Sequence, residues 1–158
     1  MNLKERINPT TTTKIIPGLT PRVLISAEAL ANMYLYIQEC ADEVGWLGTV
    51  EMLESGKHFT IHEVFLFNQD VSGTTTEITP EGLSSFAEEI LQRPDGMEVW
   101  NSMKMWGHSH VNMVITPSGQ DDKRMLEFSN IGHDYFIRLI GNKKGEMKLD
   151  FYDYKAGI

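Results

Sequence analysis

The stretch "WGHSHVNMVITPSGQDD", Trp106 to Asp122, constrains the fold more than any other part of this chain. Its first residues predict a β-strand, and Ser118, within the turn-forming "TPSG", predicts the start of a helix. Side chains at i and i+2 of a strand point to the same face, so His108 and His110 are expected to converge. Ser118 and Asp121 share a face on the first turn of a helix, so the Asp121 carboxylate could lie back toward the end of the strand.

Two interpretations of this stretch follow from its residue types. Two imidazole nitrogens and one carboxylate oxygen are three of the ligands that a catalytic zinc takes, and they leave a fourth position for water. Ser118 with Asp121 three residues later is also close to an ordinary capping box, and a single histidine in a strand is usually a structural residue. The two interpretations are compatible, because a helix start can present both side chains while it caps itself.

The rest of the chain indicates an α/β domain. Short runs of β-formers alternate with segments in which apolar residues recur at helical spacing. Strands are predicted at residues 22–26, 43–53, 58–67 and 99–110 and as a pair within 135–154; helices are predicted at 27–41, 80–93 and 118–130; the segment 68–80 is predicted to be a polar loop. Ser26 and Thr79 are the expected caps of the first two helices, with Pro80 in the first turn of the second. This order predicts one mixed β-sheet with helices on both faces.

Composition argues against several kinds of partner. A net charge of -8 with a pI near 5.1 argues against nucleic acid, which is bound through clustered Lys and Arg. No apolar run is long enough for a membrane span, so no membrane partner is predicted. Cys40 is the only cysteine, which favours a reducing compartment and predicts a cytoplasmic protein. Residues 1–20 predict an extended lead-in without the features of a secretory signal, and residues 21–158 predict a single domain.

The spacing within the opening stretch resembles that of a known enzyme family. His108-x-His110, seven residues, Ser118, two residues and Asp121 match in full the H-x-H-x7-S-x2-D signature of the JAMM (MPN+) metalloproteases. Members of that family also carry a glutamate far upstream in a glycine-containing context, which "DEVGWLG" supplies with Glu43. A match of four residues at fixed spacing is far more specific than a pair of histidines.

The resemblance covers the chain from about Arg22 to Tyr154 and implies a cytidine-deaminase-like JAB/MPN domain, in a compact prokaryotic or phage-type member. It also implies a role for each residue of the motif: one catalytic Zn²⁺ bound by His108, His110 and Asp121, with Glu43 as the general acid/base and Ser118 as the donor to the oxyanion. These roles meet the needs of amide hydrolysis, which are an activated water, a proton carrier and a donor for the developing charge.

The function implied by the resemblance is that of a zinc metallopeptidase or isopeptidase. Its expected partner is a protein or peptide substrate, cleaved at the C-terminal tail of a ubiquitin-like or sulfur-carrier-like protein or else at a peptide bond in another protein. The sequence itself does not give the oligomeric state, but homodimers are common among relatives. The alternative is a non-catalytic MPN-type scaffold or assembly protein, including a structural role in a phage. A deaminase of the related fold would need a C-x-x-C pair, which a chain with Cys40 alone does not have.

Other residues compete for two of the implied roles. Glu51 and Glu39 are further upstream carboxylates, but Glu51 lacks the glycine-rich context and Glu39 lies on the predicted helix. Asp122 is adjacent to Asp121 and would be the ligand if the helix were offset, but the signature selects Asp121. Asp122 is therefore expected to be a solvated charge in the first turn, where it favours the helix dipole.

The chain departs from the family pattern at Val111, where many members have a proline. This departure leaves the metal ligands intact and predicts a different loop shape on the leaving-group side. Trp46 and residues 113–115 are candidates for the walls of a substrate groove, although such residues are more often part of a core. The histidines outside the motif are expected to be structural or surface residues rather than ligands: His58, His62 and His133.

Overall fold

The chain forms an α/β arrangement of strands and helices, as the sequence predicts. The computed structural model describes residues 20–67, 69–72, 75–77 and 79–157, so the predicted lead-in lies outside the described residues except for its last residue. The elements, in chain order, are β1 (Arg22–Ile25), α1 (Ala27–Glu39), β2 (Gly45–Leu53), a 3-10 turn (Glu54–Gly56), β3 (His58–Phe65), β4 (Asp70–Ser72), β5 (Thr75–Glu77), α2 (Pro80–Leu91), α3 (Gly96–Asn101), β6 (Met103–Ser109), α4 (Gly119–Asn130), β7 (Tyr135–Gly141) and β8 (Met147–Asp153). None of the helices in this described part combines the length and the apolar character needed to cross a bilayer.

Six of the strands form one mixed sheet in the order β1-β3-β2-β6-β7-β8. The pairs β1/β3 and β6/β7 are parallel, and the other neighbours are antiparallel. The predicted hairpin between β2 and β3 and the predicted terminal pair β7 and β8 are both confirmed. Strands β2 and β6 occupy the middle of the sheet, so the segment that carries the histidines leaves the sheet at its centre.

Apolar side chains cover both faces of the sheet, because successive residues of a strand point to opposite sides. On one face, Met33 of α1 packs in a cluster with Trp46 of β2. On the other face, Phe86 of α2 and Met125 of α4 pack in a cluster with Leu47, the next residue of β2. The predicted placement of helices on both faces of a mixed sheet is therefore confirmed.

Two helix starts form at the predicted caps. The Ser26 hydroxyl accepts a hydrogen bond from the Ala29 amide (3.1 Å), and the Thr79 hydroxyl accepts one from the Gly82 amide (3.0 Å) with Pro80 in the first turn. Each such cap stabilises a helix by about 1 kcal/mol. The Ser26 hydroxyl also donates to the carbonyl of His62 (2.7 Å), so the same residue attaches α1 to β3.

The structure corrects the prediction in two segments. The predicted strand at 99–110 starts too early, because Val99 lies in α3 and is buried in the cluster on the α2 side, while β6 begins at Met103. A helical turn buries Val99 there, so tertiary packing overrides its β-propensity. The predicted polar loop at 68–80 contains the two short antiparallel strands β4 and β5, whose threonine-rich and valine-containing sequence favours extended backbone.

Candidate metal centre

His108, His110 and Asp121 come together as the spacing predicts. The Nε2 atom of His108 lies 3.0 Å from Nε2 of His110 and 3.0 Å from Oδ1 of Asp121, and Nε2 of His110 lies 3.4 Å from Oδ2 of Asp121. The three residues are only 2%, 7% and 6% exposed, respectively. Within the described ranges, this is the group of His, Cys, Asp and Glu side chains whose ligand atoms could meet at one metal ion. The cluster could therefore hold a metal ion.

The histidines share a face because β6 and its continuation follow β7. His108 lies in β6 opposite Ile140 of β7. His110 lies one residue past the end of β6, but its backbone N–H donates to the carbonyl of Gly141 (2.8 Å), which prolongs the alignment with β7. The predicted convergence of the two rings is confirmed, although the second ring is placed by a loop residue rather than by a strand residue.

Asp121 reaches the histidines from the first turn of α4. Its Oδ2 atom accepts the backbone N–H of Ser118 (2.6 Å), while the Ser118 hydroxyl accepts the backbone N–H of Asp121 (3.3 Å). This reciprocal pair is a capping box, so the capping interpretation of the sequence is confirmed together with the clustering. The two carboxylate oxygens of Asp121 have different partners: Oδ2 caps the helix, and Oδ1 faces His108.

The second ring nitrogen of His110 fixes which atom faces the cluster. Nδ1 of His110 lies 2.7 Å from the carbonyl oxygen of Val114, which can only accept a hydrogen bond. The Nδ1–H group therefore donates to this carbonyl, and Nε2 of the neutral ring keeps a free lone pair toward His108 and Asp121. A histidine that ligates a metal commonly has its other nitrogen bound in this way.

The ring of His108 is held by stacking. Trp106, two residues earlier on the same face of β6, stacks on it with a centroid distance of 4.5 Å and an interplanar angle of 21°. Nδ1 of His108 is buried and has no hydrogen-bond partner among the residues that the structure describes. The orientation of the His108 ring therefore comes from packing and from the contact of its Nε2 with Asp121, whereas His110 is also held by a hydrogen bond through its Nδ1.

Glu43 lies beside the cluster, two residues before β2. Gly45 of β2 is paired with His108 of β6. The Ser109 amide donates to the carbonyl of Val44 (2.9 Å), so the antiparallel pairing continues past the start of β2. Continued by two residues, this register places Glu43 opposite His110. Side chains of such cross-strand partners lie on the same face. On the other side of β2, the Gln69 side-chain amide bonds both the N–H (2.7 Å) and the carbonyl (2.9 Å) of Gly45, which holds this part of the backbone in place.

Burial and neighbouring charges shift the pKa values of these groups. Burial raises the pKa of Glu43 and so does the charge of Asp121, while His110 opposes the shift. Burial also lowers the pKa of His108. Burial opposes protonation of His110 as well, but its hydrogen bonds to Asp121 and to the Val114 carbonyl outweigh this and raise its pKa. The pKa of Asp121 is far below its usual range despite burial, because both imidazoles and the Ser118 amide stabilise the carboxylate, which is the form that binds metals.

The competing acidic residues lie elsewhere or have other partners. Glu51 is exposed and pairs with His62 (2.6 Å). Glu39 is exposed at the end of α1. Asp122 is close to the cluster in sequence, but the prediction that it is a solvated charge is wrong, because its Oδ1 accepts a hydrogen bond from the buried guanidinium of Arg138 (2.8 Å). The group of side chains that could hold a metal ion includes none of these three residues.

Val111 has a backbone conformation that a proline could not adopt. Its φ is 56°, in the left-handed region, whereas proline is fixed near about -65°. Its N–H donates to the hydroxyl of Ser109 (2.9 Å), a bond that proline could not make, and its carbonyl accepts the amide of Lys143 (2.6 Å). The backbone of this loop therefore excludes a proline at position 111, where many JAMM proteins have one.

The side chains proposed for groove walls separate into two groups. Trp46 is fully buried on the α1 side of the sheet, so it is a core residue and not a wall. Met113 and Val114 are exposed in the loop between the second histidine and α4. Ser118, the predicted oxyanion donor, is exposed at the start of that helix.

The sequence interpretation missed Asn142, which supports the loop of the second histidine. Its side chain is buried and donates to the carbonyl of Met113 (3.0 Å) and to the Glu146 carboxylate (3.0 Å), and its own oxygen accepts the amides of Lys144 and Glu146 (3.1 Å each). The turn between β7 and β8 thereby holds the segment whose Val114 carbonyl orients His110. Asparagine before "KKG" signalled only the turn, because its contact with the loop joins residues far apart in the chain.

No protein-family model matches this chain, and no curated protein matches it. The resemblance to the JAMM family therefore depends on the residues of the site themselves.

Proposed function

We propose that this protein is a zinc-dependent metallopeptidase or isopeptidase of the JAMM type. The observation that carries the proposal is a buried cluster of two imidazole nitrogens and one carboxylate oxygen with a second carboxylate, Glu43, beside it. Two nitrogens and one oxygen are a three-ligand set typical of catalytic zinc, which keeps a fourth position for water. A structural zinc would instead take four protein ligands.

The distances within the cluster support zinc as the ion. Ligand atoms about 2.0–2.1 Å from a tetrahedral ion lie about 3.3 Å from one another. Nε2 of His110 and Oδ1 of Asp121 each lie 3.0 Å from Nε2 of His108, close to this separation. The 3.4 Å contact of His110 is with Oδ2, the oxygen that caps α4. Oδ1 of Asp121 is free to bind while Oδ2 caps α4, so ligation does not compete with the helix cap.

Glu43 is the residue proposed to carry the proton. A bound zinc supplies a water with a pKa lowered toward about 7 and polarises the scissile carbonyl. Glu43 is a carboxylate outside the ligand set, so it can accept a proton from the attacking water and deliver it to the leaving amine. Burial raises the pKa of Glu43 above its ordinary value, which suits a group that must take up and release a proton in one cycle.

Ser118 is proposed to stabilise the negative charge that develops on the substrate carbonyl. Its oxygen accepts the Asp121 amide in the capping box, so the hydroxyl proton is still free to donate. The residue is exposed at the rim of the cluster, where a substrate carbonyl could reach it. One preorganised donor of this kind is worth a factor of about 10²–10³ in kcat.

The substrate is proposed from the family resemblance and from the loop beside the site. We propose cleavage at the C-terminal tail of a ubiquitin-like or sulfur-carrier-like protein, through a peptide or isopeptide bond. The exposed side chains of Met113 and Val114 lie in the loop next to the ligands, where apolar residues of an extended tail could pack against them. The acidic net charge of -8 favours a neutral or basic segment around the scissile bond.

The test combines metal analysis with matched glutamate variants. Protein purified without chelator is expected to contain one zinc per chain, Glu43→Gln to keep the zinc and lose turnover, and His108→Ala to lose the zinc. Turnover is measured on a ubiquitin-like protein joined through its C-terminal tail to a peptide. Glu51→Gln is the matched control, because Glu51 is an upstream glutamate paired with His62 and is expected to leave turnover unchanged.

Each outcome decides between enzyme and scaffold. Absence of zinc from the purified protein would contradict the enzyme and favour a non-catalytic assembly role. Zinc with unchanged turnover in Glu43→Gln would show that another group carries the proton. A pull-down with Glu43→Gln, which would hold substrate without cleaving it, then identifies the natural partner.

A further inference from the structure

Arg138 of β7 is a buried cation with two carboxylate partners. It is 3% exposed. Its Nη1 donates to Asp122 (2.8 Å), and its Nε (3.1 Å) and Nη2 (2.7 Å) both donate to the same Oδ2 of Asp150. The guanidinium carbon also lies 5.3 Å from the ring centroid of Tyr152. A charge removed from water in this way is stable only because its donors are satisfied.

The register of the sheet places Arg138 on the face that carries the metal centre. Arg138 is opposite Trp106 of β6 and opposite Asp150 of β8. Opposite residues point to the same side of a sheet, so Arg138 shares a face with Trp106 and with His108, two residues further along β6. Its charge acts on His108, where it lowers the pKa together with the larger effect of burial.

Arg138 connects α4 to β8 at the first turn of the helix, while the Tyr154 hydroxyl, directly after β8, donates to the Met125 carbonyl in the middle of α4. Asp122 lies in the first turn of α4, directly after the ligand Asp121, and Asp150 lies in the edge strand β8. The planar guanidinium with fixed donor directions can hold both carboxylates at once, which a lysine ammonium cannot do with the same geometry. The first turn of α4 is thereby tied to the sheet at the residue next to the ligand.

We infer that Arg138 is a positioning residue that sets the location of Asp121 relative to His108 and His110, and so sets the affinity and geometry of the metal site. This inference rests on the proposed metal-dependent function. Asp121 is also bonded to Ser118 within α4, but that bond orders only the helix itself. The Arg138 bridge fixes the first turn of α4 against β7 and β8, and β7 is paired with β6, the strand that leads to both histidines. Groups that orient metal ligands typically change metal affinity about 10–100-fold when they are removed.

The chain offers a matched control in Arg93. This arginine also bridges two carboxylates, with Nη1 3.2 Å from Glu63 and Nε 3.0 Å from Asp95, and it also lies over an aromatic ring, that of Phe65. Its side chain is 36% exposed, and its partners belong neither to α4 nor to the metal centre. Arg93→Met therefore removes the same kind of interaction without touching the ligands.

The experiment measures metal binding rather than turnover. Zn²⁺ affinity is measured by competition with a chromogenic chelator, and the visible spectrum of the Co²⁺-loaded protein reports the coordination geometry. We expect Arg138→Met to weaken Zn²⁺ binding about tenfold and to change the Co²⁺ spectrum, with Arg138→Lys in between and Arg93→Met unchanged. Asp150→Asn weakens the β8 side of the bridge without changing α4 or the segment that carries the histidines, and it is expected to weaken Zn²⁺ binding in the same direction.

The outcomes separate this inference from the proposed function. Failure of the unaltered protein to bind Zn²⁺ would overturn both. Binding in the unaltered protein with unchanged affinity and Co²⁺ spectrum in folded Arg138→Met would overturn the inference alone. Should Arg138→Met not fold, Asp150→Asn decides, and unchanged affinity in that variant overturns the inference. Full rescue by Arg138→Lys would assign the effect to charge alone and would contradict the bridging geometry.

Discussion

Val111 provides a direct test of how the loop after the second histidine is held, because its φ of 56° is rare for a β-branched residue. Left-handed backbone costs an L-residue roughly 1–2 kcal/mol, while glycine adopts it freely but loses about 0.5–1 kcal/mol more entropy on folding. Val111→Gly should therefore leave the free energy of unfolding unchanged or raise it by up to about 1.5 kcal/mol. Val114→Gly, in the same loop without a positive φ, is the matched control and should lower it.

Val111→Pro should have the opposite effect. The ring would force φ to change by about 120° and would remove the N–H bond to Ser109. That bond and the Lys143 bond to the Val111 carbonyl are worth about 1 kcal/mol each, and with the backbone distortion the loss should reach at least about 3 kcal/mol. At roughly 2–4 °C per kcal/mol for a domain of this size, Tm should fall by at least about 6–12 °C.

The assay for both variants is thermal unfolding of the metal-free protein, followed by Zn²⁺ binding. Val111→Pro should also weaken Zn²⁺ binding, because His110 is the preceding residue. A Val111→Pro variant as stable as the unaltered protein would refute the left-handed loop. A loss above about 1 kcal/mol in Val111→Gly would show that packing of the valine side chain outweighs the backbone strain.

Three further predictions concern the sheet and the ionisable groups. Gly107→Ala should lower the free energy of unfolding, measured with urea, by about 1–3 kcal/mol, because a β-carbon there would overlap with the Trp46 indole. Gly119→Ala is the control: no atom lies near the added β-carbon, so the free energy of unfolding should be unchanged or higher. Zn²⁺ affinity, measured by calorimetry, should fall as the solution is acidified, because a proton on His110 competes with the metal. The fall should begin at a pH above the pKa of an ordinary histidine, because the pKa of His110 is raised. An affinity independent of pH would contradict this. Glu43→Gln should stabilise the metal-free protein at neutral pH, because the raised pKa of Glu43 in the folded state makes the charged carboxylate unfavourable there. That advantage should shrink as the pH falls from the raised folded-state pKa toward the ordinary value of 4.5 and be absent below it. A less stable variant at neutral pH would contradict this.

The part of the site that the sequence predicted is the part encoded locally. His108 and His110 are two residues apart, and Ser118 and Asp121 are three apart. Strand geometry, prolonged past β6 by the bond of His110 to Gly141, and helix geometry therefore bring each pair to one face. The turn between them then brings the pairs together. Glu43 was identified by its glycine-containing context, and its place follows from the register of β2 and β6. Whether it carries the proton stays a prediction.

The part that the sequence did not predict depends on contacts between distant residues. Asp122 was expected to be solvated because its partner, Arg138, lies on another element, and pairing between helix and strand has no local signature. A signal did exist, since "YFIRLIG" places an arginine inside an otherwise apolar strand, and a buried cation needs a carboxylate partner. The helical turn at Val99 was missed for a related reason, because tertiary packing decided its conformation.

The double use of Asp121 has a consequence for how related sequences should be compared. Its Oδ2 holds the first turn of α4, so replacement by an apolar residue weakens the start of a helix even in a protein that binds no metal. Selection for folding alone would therefore preserve this aspartate after an activity has been lost, whereas nothing comparable in the fold retains the Nε2 lone pairs of the two histidines. Among homologues that diverge into scaffolds, the histidines should drift first, and the aspartate alone would be a poor marker of an active enzyme.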